Sequence, residues 1–321
     1  ARSGSISVTA TLAAMFLANW AKRLSWSEVA DVFHTSWNSV YRAVQDVVLW
    51  GLMHRDLSGI TAIGVDEIQW QRGHRYLTLV YQIDEGHKRL LWIGGERTAE
   101  TLEKFFRLLG DGAARLKFVC SDMWGPYLDV IAARAGKAIH VLDRYHVMAN
   151  MNKALDEVRA GEARRLKQDG YEPVLKHSRW CFLKRPENLT EKQTVKLAEL
   201  LKYNLQSVRA YLQKEDFQRF WEYQRPQWAG KFLDEWCARV MRSRLEPMKK
   251  VGRMLRSHRA LLLNWFRAKG TISAGVVEGL NNKVKLTMRK SYGFRTKEAI
   301  EFALYHNMAA LPEPDFTHRF W

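Results

Sequence analysis

Residues 61–93 read TAIGVDEIQWQRGHRYLTLVYQIDEGHKRLLWI, and the punctuation of this stretch decides the fold class. Three runs rich in β-branched and aromatic residues (61–70, 74–83 and 89–93) are separated only by Gln71-Arg72-Gly73 and Asp84-Glu85-Gly86-His87. Linkers this short, each with a glycine, are hairpin turns, so three consecutive antiparallel strands are expected. Downstream the pattern alternates. A helical stretch over 99–109 leads to a short apolar run at 116–120, and a helix over roughly 127–135 leads to another at 138–142. Strands separated by helices pair in parallel, so hairpins followed by β-α-β crossovers predict an α/β protein with a mixed sheet.

Working outward, residues 1–58 read as helical. Apolar positions recur at helical spacing through Leu12, Met15, Phe16 and Trp20, then Val29, Val32 and Phe33, then Val40, Ala43, Val44, Val47 and Val48. Residues 25–48 fit a helix-turn-helix, with 28–33 as the first helix, His34-Thr35-Ser36 as the turn and 37–48 as the recognition helix. His34 stands where such turns often carry glycine. Asn38, Ser39, Tyr41, Arg42 and Gln45 would then meet base edges and phosphates. The competing reading is a small helical bundle that packs without touching DNA. From 145 to about 269 helix formers dominate, broken at Gly170, Pro173, Pro186, Pro226 and Gly230. That is a large all-α insertion. A loop at 270–275 precedes a helix over 276–290, and a further helix covers 296–310. The expected division is a helix-turn-helix module (1–58), the first part of a catalytic core (59–150), the insertion (151–270) and the last part of the core with the tail (271–321).

Charge points to the partner. Lys and Arg total 51 against 34 Asp and Glu, a net +17, with an isoelectric point near 9.8. So large an excess calls for an anionic partner, nucleic acid first and an acidic membrane surface next. Cys120, Cys181 and Cys237 form no CxxC pair, which argues against a zinc site or a disulfide framework and fits a reducing cytoplasm. The apolar stretch 6–20 falls short of the roughly 18 residues a membrane span needs. Arg2 alone makes a poor signal-peptide head. The chain opens on Ala1 rather than methionine, which leaves room for residues before it.

The candidate chemistry lies in carboxylates. Ile63-Gly64-Val65-Asp66, Phe118-Val119-Cys120-Ser121-Asp122 and Ile139-His140-Val141-Leu142-Asp143 each run from a strand pattern into an aspartate. Ligand sites of crossover sheets lie beyond strand ends. Carboxylates there suit Mg²⁺, a hard cation that takes oxygen ligands, and two such ions can serve the attacking and leaving oxygens of one displacement. Neighbouring strands are about 4.8 Å apart, so side chains at adjacent strand ends can share an ion. If the Asp122 strand neighbours the Asp66 strand and the Asp143 strand lies one further out, Asp122 is the partner and Asp143 an accessory. The competing reading makes each aspartate a turn residue or helix cap. Glu278 is the sharper signal. It is the only acid between Lys249 and Lys297, a stretch with thirteen Lys or Arg residues. Its helix sorts into an apolar stripe (Val277, Leu280, Val284, Met288) and a face bearing Glu278, Asn282, Lys285 and Arg289. The plain alternative is a surface glutamate paired with Lys285 or Asn282.

These blocks are familiar together. Ile63-Gly64-Val65-Asp66-Glu67-Ile68 with Gly73-His74-Arg75-Tyr76 resembles the first catalytic block of the ISL3 family of bacterial insertion-sequence transposases. Ser121-Asp122-Met123-Trp124-Gly125-Pro126-Tyr127 resembles the second, and Val141 to Val147 with Asn152-Lys153-Ala154-Leu155-Asp156 the segment beyond it. Val277-Glu278-Gly279-Leu280-Asn281-Asn282-Lys283, then Ser291-Tyr292-Gly293-Phe294-Arg295, resembles the third. The resemblance implies an RNase H-like core interrupted by a helical insertion, with Asp66, Asp122 and Glu278 as the catalytic, metal-binding triad of a DDE transposase. It further implies two Mg²⁺ or Mn²⁺ ions, double-stranded DNA with terminal inverted repeats and target DNA as partners, a homodimer in the synaptic complex, and a bacterial, nucleoid-associated setting. Members of the family usually begin with a cysteine-rich zinc-binding domain, which this sequence does not contain.

Several further contacts with DNA are expected. Arg295 joins Asn282, Lys285 and Arg289. In the insertion, Arg159, Arg164, Arg165, Lys167, Lys176, Arg179, Lys184 and Arg185 would line a phosphate track. Trp180, Trp228 and Trp265 are candidates for stacking on splayed bases, although among these and Trp221 and Trp236 at least three are expected in the core. His146 is expected to be a structural, hydrogen-bonded residue. Two rival functions stay open: an RNase H-like nuclease or resolvase without strand transfer, and a non-enzymatic helix-turn-helix regulator.

Overall fold

The computed structural model describes residues 8–71, 73, 75–268, 275–291 and 293–313. Arg72, His74, Tyr292 and most of the expected 270–275 loop lie outside the described residues. In chain order the elements are α1 (Val8–Ala21), α2 (Trp26–Val32), α3 (Trp37–His54), β1 (Ala62–Gln71), β2 (Arg75–Asp84), β3 (His87–Gly95), α4 (Ala99–Leu109), β4 (Phe118–Ser121), α5 (Gly125–Arg134) and β5 (Ile139–Leu142). There follow α6 (Arg144–Gln168), α7 (Arg179–Leu183), α8 (Glu191–Leu200), α9 (Gln206–Gln218), α10 (Pro226–Met241), α11 (Glu246–Ser257), α12 (Arg259–Arg267), α13 (Gly275–Lys290) and α14 (Lys297–Met308). No helix among the described residues is long and apolar enough to cross a membrane.

The strand order is β3-β2-β1-β4-β5. β1 pairs antiparallel with β2, and β2 with β3, as the two short turns require. β1 pairs in parallel with β4 through Ala62↔Phe118, Ile63↔Val119 and Gly64↔Cys120. The sheet is therefore mixed, and the Asp122 strand sits between the Asp66 and Asp143 strands, as expected. β1 runs past Asp66 to Gln71, in keeping with the run read at 61–70, so Asp66 stands within the strand, opposite Leu79 of β2. Only its pairing with β4 ends before the aspartate, because the antiparallel hairpin carries the strand further than the parallel crossover does.

The chain forms two compact units. The first comprises residues 1–120, 124–138 and 271–321. Strand alternation sends successive side chains to opposite faces, and both faces of this sheet are covered. Ile63, Val65 and Val80 pack with Leu102, Phe105, Val130 and Ile131 of α4 and α5. Leu77, Leu79 and Tyr81 share an apolar cluster with Val44 and Val48 of α3, Val277 and Leu280 of α13 and Ile300 of α14, which α1 joins through Met15 and Ala18. The N-terminal helices thus share one core with the sheet.

The second unit comprises residues 121–123 and 139–270. Apart from β5 it is helical, and its core is aromatic: Phe217 stacks on Phe220, and Trp221, Trp236 and Phe266 close around them. Two buried charges are spent on backbone. Glu162 of α6 accepts from the Gln206 and Ser207 amides at 2.8 Å each and so caps α9, whose own N-cap, Leu205, cannot. Lys214 donates to the Phe182 carbonyl at 2.7 Å.

Candidate active site

In the first unit the site is built on Asp66, which is 5% exposed. Its Oδ1 accepts the Glu67 backbone amide at 2.7 Å, and its Oδ2 accepts from Asn281 Nδ2 on α13. Asn281 Oδ1 in turn accepts the Tyr81 hydroxyl at 2.8 Å. Tyr81 is fully buried, and burial, followed by the Asp66 charge, holds its phenol well above the usual range. Gly64 makes this arrangement possible, since a Cβ there would stand 2.6 Å from Val277 Cγ2. Glu278 is one turn before Asn281 on the same helix. The sorting of α13 follows the sequence: Val277, Leu280 and Val284 are buried, whereas Glu278, Asn282, Lys285 and Arg289 are exposed.

The opposite face of β1 is also anchored. Glu67 Oε2 lies 2.6 Å from Arg97 Nε, and the Arg97 guanidinium sits 4.7 Å over the Trp124 ring. Trp124 meets Tyr127 edge-on at 4.6 Å, and the Tyr127 hydroxyl lies 2.6 Å from Thr78 Oγ1. Because Thr78 donates its own proton to the Glu96 carbonyl, Tyr127 is the donor of that pair. Trp124 and Tyr127 thus serve to tie the segment after Asp122 to β2.

In the second unit Asp122 is 8% and Asp143 4% exposed. Each leaves the end of its strand, and the Asp143 amide donates to the Ser121 carbonyl at 2.8 Å. Asp143 is also the N-cap of α6, accepting from the Tyr145 amide at 2.8 Å, so for this residue the helix-cap reading holds. His146 Nε2 lies 3.9 Å from Asp143 Oδ2. Ser121 Oγ donates to the Asp122 carbonyl at 2.9 Å and accepts from His140 Nε2 at 2.8 Å. Burial lowers the His140 pKa to about 4, so its ring is neutral and Nε2 carries the proton.

The other candidates divide by exposure. Asn38 and Arg42 are exposed on α3. Ser39 is half-buried, its hydroxyl 2.9 Å from that of the cap residue Ser36. Tyr41 stacks on Trp37 at 5.4 Å and packs against Trp26 and Phe302, while Gln45 is half-buried. His34 adopts φ +50°, the left-handed conformation expected at the glycine position of the turn. Trp180 and Trp228 are exposed, each beside a cation (Arg179 and Lys231), while Trp265 is half-buried against Trp221. With Trp221 and Trp236 buried, three of the five tryptophans serve the core. Arg159 and Arg179 both pair with Asp156, and Arg165 with Glu162. Arg295 is exposed.

Sequence patterning did not single out Asn281 as the partner of Asp66, or Tyr81 as the partner of Asn281. A signal existed: Asn281 lies four residues after Val277 and three before Val284, a polar residue on the buried stripe, where a polar side chain needs a partner.

A family model described as a transposase, of the DDE ISL3 type, matches residues 63–304. The chain belongs to the ISL3 transposase family. Relatives within it include the transposase for insertion sequence element IS1001 of Bordetella parapertussis, 33% identical over 84% of this chain and 66% of that protein. The transposase for insertion sequence element IS1557 of Mycobacterium tuberculosis is 30% identical over 86% of this chain and 66% of its own length. The chain thus spans just under two thirds of these ISL3 relatives. Among solved structures, the Drosophila P element transposase strand transfer complex aligns over 95% of this chain and 92% of that one, with a TM-score of 0.44 and 10% identity.

Proposed function

We propose that the protein is the catalytic part of an ISL3 transposase, an RNase H-like core interrupted by a helical insertion that cleaves insertion-sequence ends and joins them to target DNA. Asp66, Asp122 and Glu278 would hold two divalent ions, Mg²⁺ or Mn²⁺, with Asp143 as an accessory. The observation that carries this reading is the hydrogen bond from the Glu278 helix to the Asp66 carboxylate, through Asn281. It brings the helix of the third family block onto the strand of the first, 212 positions apart by number, and Gly64 is the residue that permits the approach.

The donors fit hard cations. Asp66 and Asp122 are carboxylates almost withdrawn from water, an unfavourable state for an anion unless charge or hydrogen bonds compensate it. When bound, the ions supply Lewis acidity and an activated oxygen nucleophile to the phosphodiester. The chain's own residues do the rest. Asn281 and the Glu67 amide orient Asp66. The exposed Asn282, Lys285, Arg289 and Arg295 bind phosphates near the scissile bond. Hydrolysis at the element end frees a 3′-hydroxyl, which attacks a target phosphodiester in the same site, forms the new ester bond and expels the target strand's own 3′-oxygen as a hydroxyl. Residues 25–48 act as a helix-turn-helix that presents Asn38 and Arg42 to duplex DNA bearing the terminal inverted repeats. Trp180 and Trp228 are the exposed stacking candidates. Synapsis of two ends makes a homodimer the working form, in the bacterial cytoplasm at the nucleoid.

Asp66→Asn, Asp122→Asn and Glu278→Gln are each expected to abolish Mg²⁺-dependent cleavage of inverted-repeat DNA, a loss of several orders of magnitude, while gel-shift affinity persists. A variant that still cuts removes that residue from the triad. A precut end offered with target DNA separates joining from cleavage alone, the activity of a resolvase.

A further inference from the structure

His306 of α14 is 7% exposed, and among the described residues neither of its ring nitrogens has a hydrogen-bond partner. Buried polar groups are nearly always paired, so a ring with both nitrogens unpaired draws attention to the space beside it. The ring borders a cavity of about 260 Å³, whose wall also includes Lys22, Lys88 and Lys283. One water takes roughly 30 Å³ of liquid, so the space exceeds what hydration of a single imidazole needs. Among the described residues the one acid in the wall is Glu313, with Oε1 2.6 Å from Lys22 Nζ. Lys290, outside the wall, donates to the Lys22 carbonyl at 3.2 Å. Burial first, and the Lys22 and Lys290 charges after it, lower the His306 pKa to about 3, so the ring is neutral and adds no charge to the wall.

We propose that this cavity is an anion site for a tetrahedral phosphoryl group. Lys22, Lys88 and Lys283 supply the charge, His306 closes the inner wall, and the Glu313 carboxylate occupies the Lys22 position in the unliganded protein. The tail that delivers Glu313 has a prepared seat. A Cβ on Gly51 of α3 would stand 2.7 Å from Leu311 Cβ and 3.2 Å from the Pro312 carbonyl, so only glycine leaves room for it. A phosphoryl oxyanion displaces a carboxylate from an ammonium by offering more acceptor oxygens and more charge. Its source is either a backbone phosphate of bound DNA, which rests on the DNA-binding part of the proposed function, or free phosphate, which does not.

The test is titration of the full chain with inorganic phosphate, followed by calorimetry and by the ¹H–¹⁵N signals of the His306 ring. Saturable binding that shifts those signals is expected. Lys88→Ala and Lys283→Ala change exposed side chains and leave the fold intact, and each should weaken binding by about tenfold. Glu313→Gln should strengthen it. A second arm measures duplex DNA binding across a series of salt concentrations. If the site takes a DNA phosphate, inorganic phosphate competes with the duplex and each lysine variant lowers the log–log salt slope by about 1. If it takes free phosphate, the slope is unchanged while phosphate binding is still lost. Phosphate that fails to move the His306 signals, or binding that survives both lysine changes, overturns the proposal. Cleavage with Mg²⁺ reports separately on the catalytic reading.

Discussion

The amide of Asn281 has a donor end and an acceptor end, and only one orientation serves Asp66. Tyr81 selects it: its hydroxyl donates to Oδ1, which leaves Nδ2 for the carboxylate. Tyr81→Phe frees the amide to turn its oxygen towards Asp66, and Asn281→Ala removes the contact altogether. Partners that orient a metal-binding carboxylate are typically worth about 10- to 100-fold in metal affinity or activity. Both variants should therefore lose cleavage by about that factor, and Mn²⁺ affinity measured by spin resonance should fall with it. DNA affinity in a gel shift should stay as it was. Cleavage at the unaltered rate in Asn281→Ala would remove Asn281 from the site.

At the scale of elements, the decisive contact is α13 against β1. The apolar stripe of the helix was legible from spacing, and its partner was not, because nothing local in residues 276–290 says which surface the stripe will cover. Gly64 supplies the tolerance. Gly64→Ala forces a Cβ into the buried Val277 side chain, and overpacking of this kind costs about 1–3 kcal/mol. The variant should lower the unfolding midpoint and reduce cleavage together, since the helix carrying Glu278 must move from the strand carrying Asp66. A midpoint and rate both unchanged would mean that α13 can shift without consequence. The α2–α3 turn is the converse case. His34 stands in left-handed backbone that disfavours an L side chain by roughly 1 kcal/mol. His34→Gly should accordingly raise the midpoint of thermal unfolding, and a lowered midpoint would show that the imidazole makes a contact worth more than the strain.

For the whole molecule, acid sensitivity follows from two buried imidazoles, His140 in the second unit and His306 in the first. Their folded pKa values are about 4 and about 3, against 6.5 for a free ring. Below pH 6.5 the unfolded chain takes up protons that the folded chain refuses. Stability is therefore complete above about 6.5 and declines as pH falls towards the folded values. One unit of displacement corresponds to about 1.4 kcal/mol per ring. In phosphate-free buffer, the denaturant midpoint should already fall between pH 6.5 and 5, above the range where ordinary carboxylates protonate. His140→Gln should flatten part of that slope. A midpoint level across the window contradicts the neutral, buried state of both rings.

Local pattern alone determined much of this protein. The two glycine-bearing turns after β1 and β2, the alternation of short apolar runs with helices beyond residue 98, and the faces of α13 could all be read from spacing, because strand and helix periods are written directly into side-chain order. The net charge of +17 likewise pointed to an anionic partner before any fold was known. Two matters were left to tertiary structure. Tyr41 is drawn into the aromatic packing of Trp37 and Phe302. Asn281 meets Asp66 although they are 215 positions apart. Each depends on which surfaces meet, and a contact between residues distant in the chain leaves no period in the sequence of either.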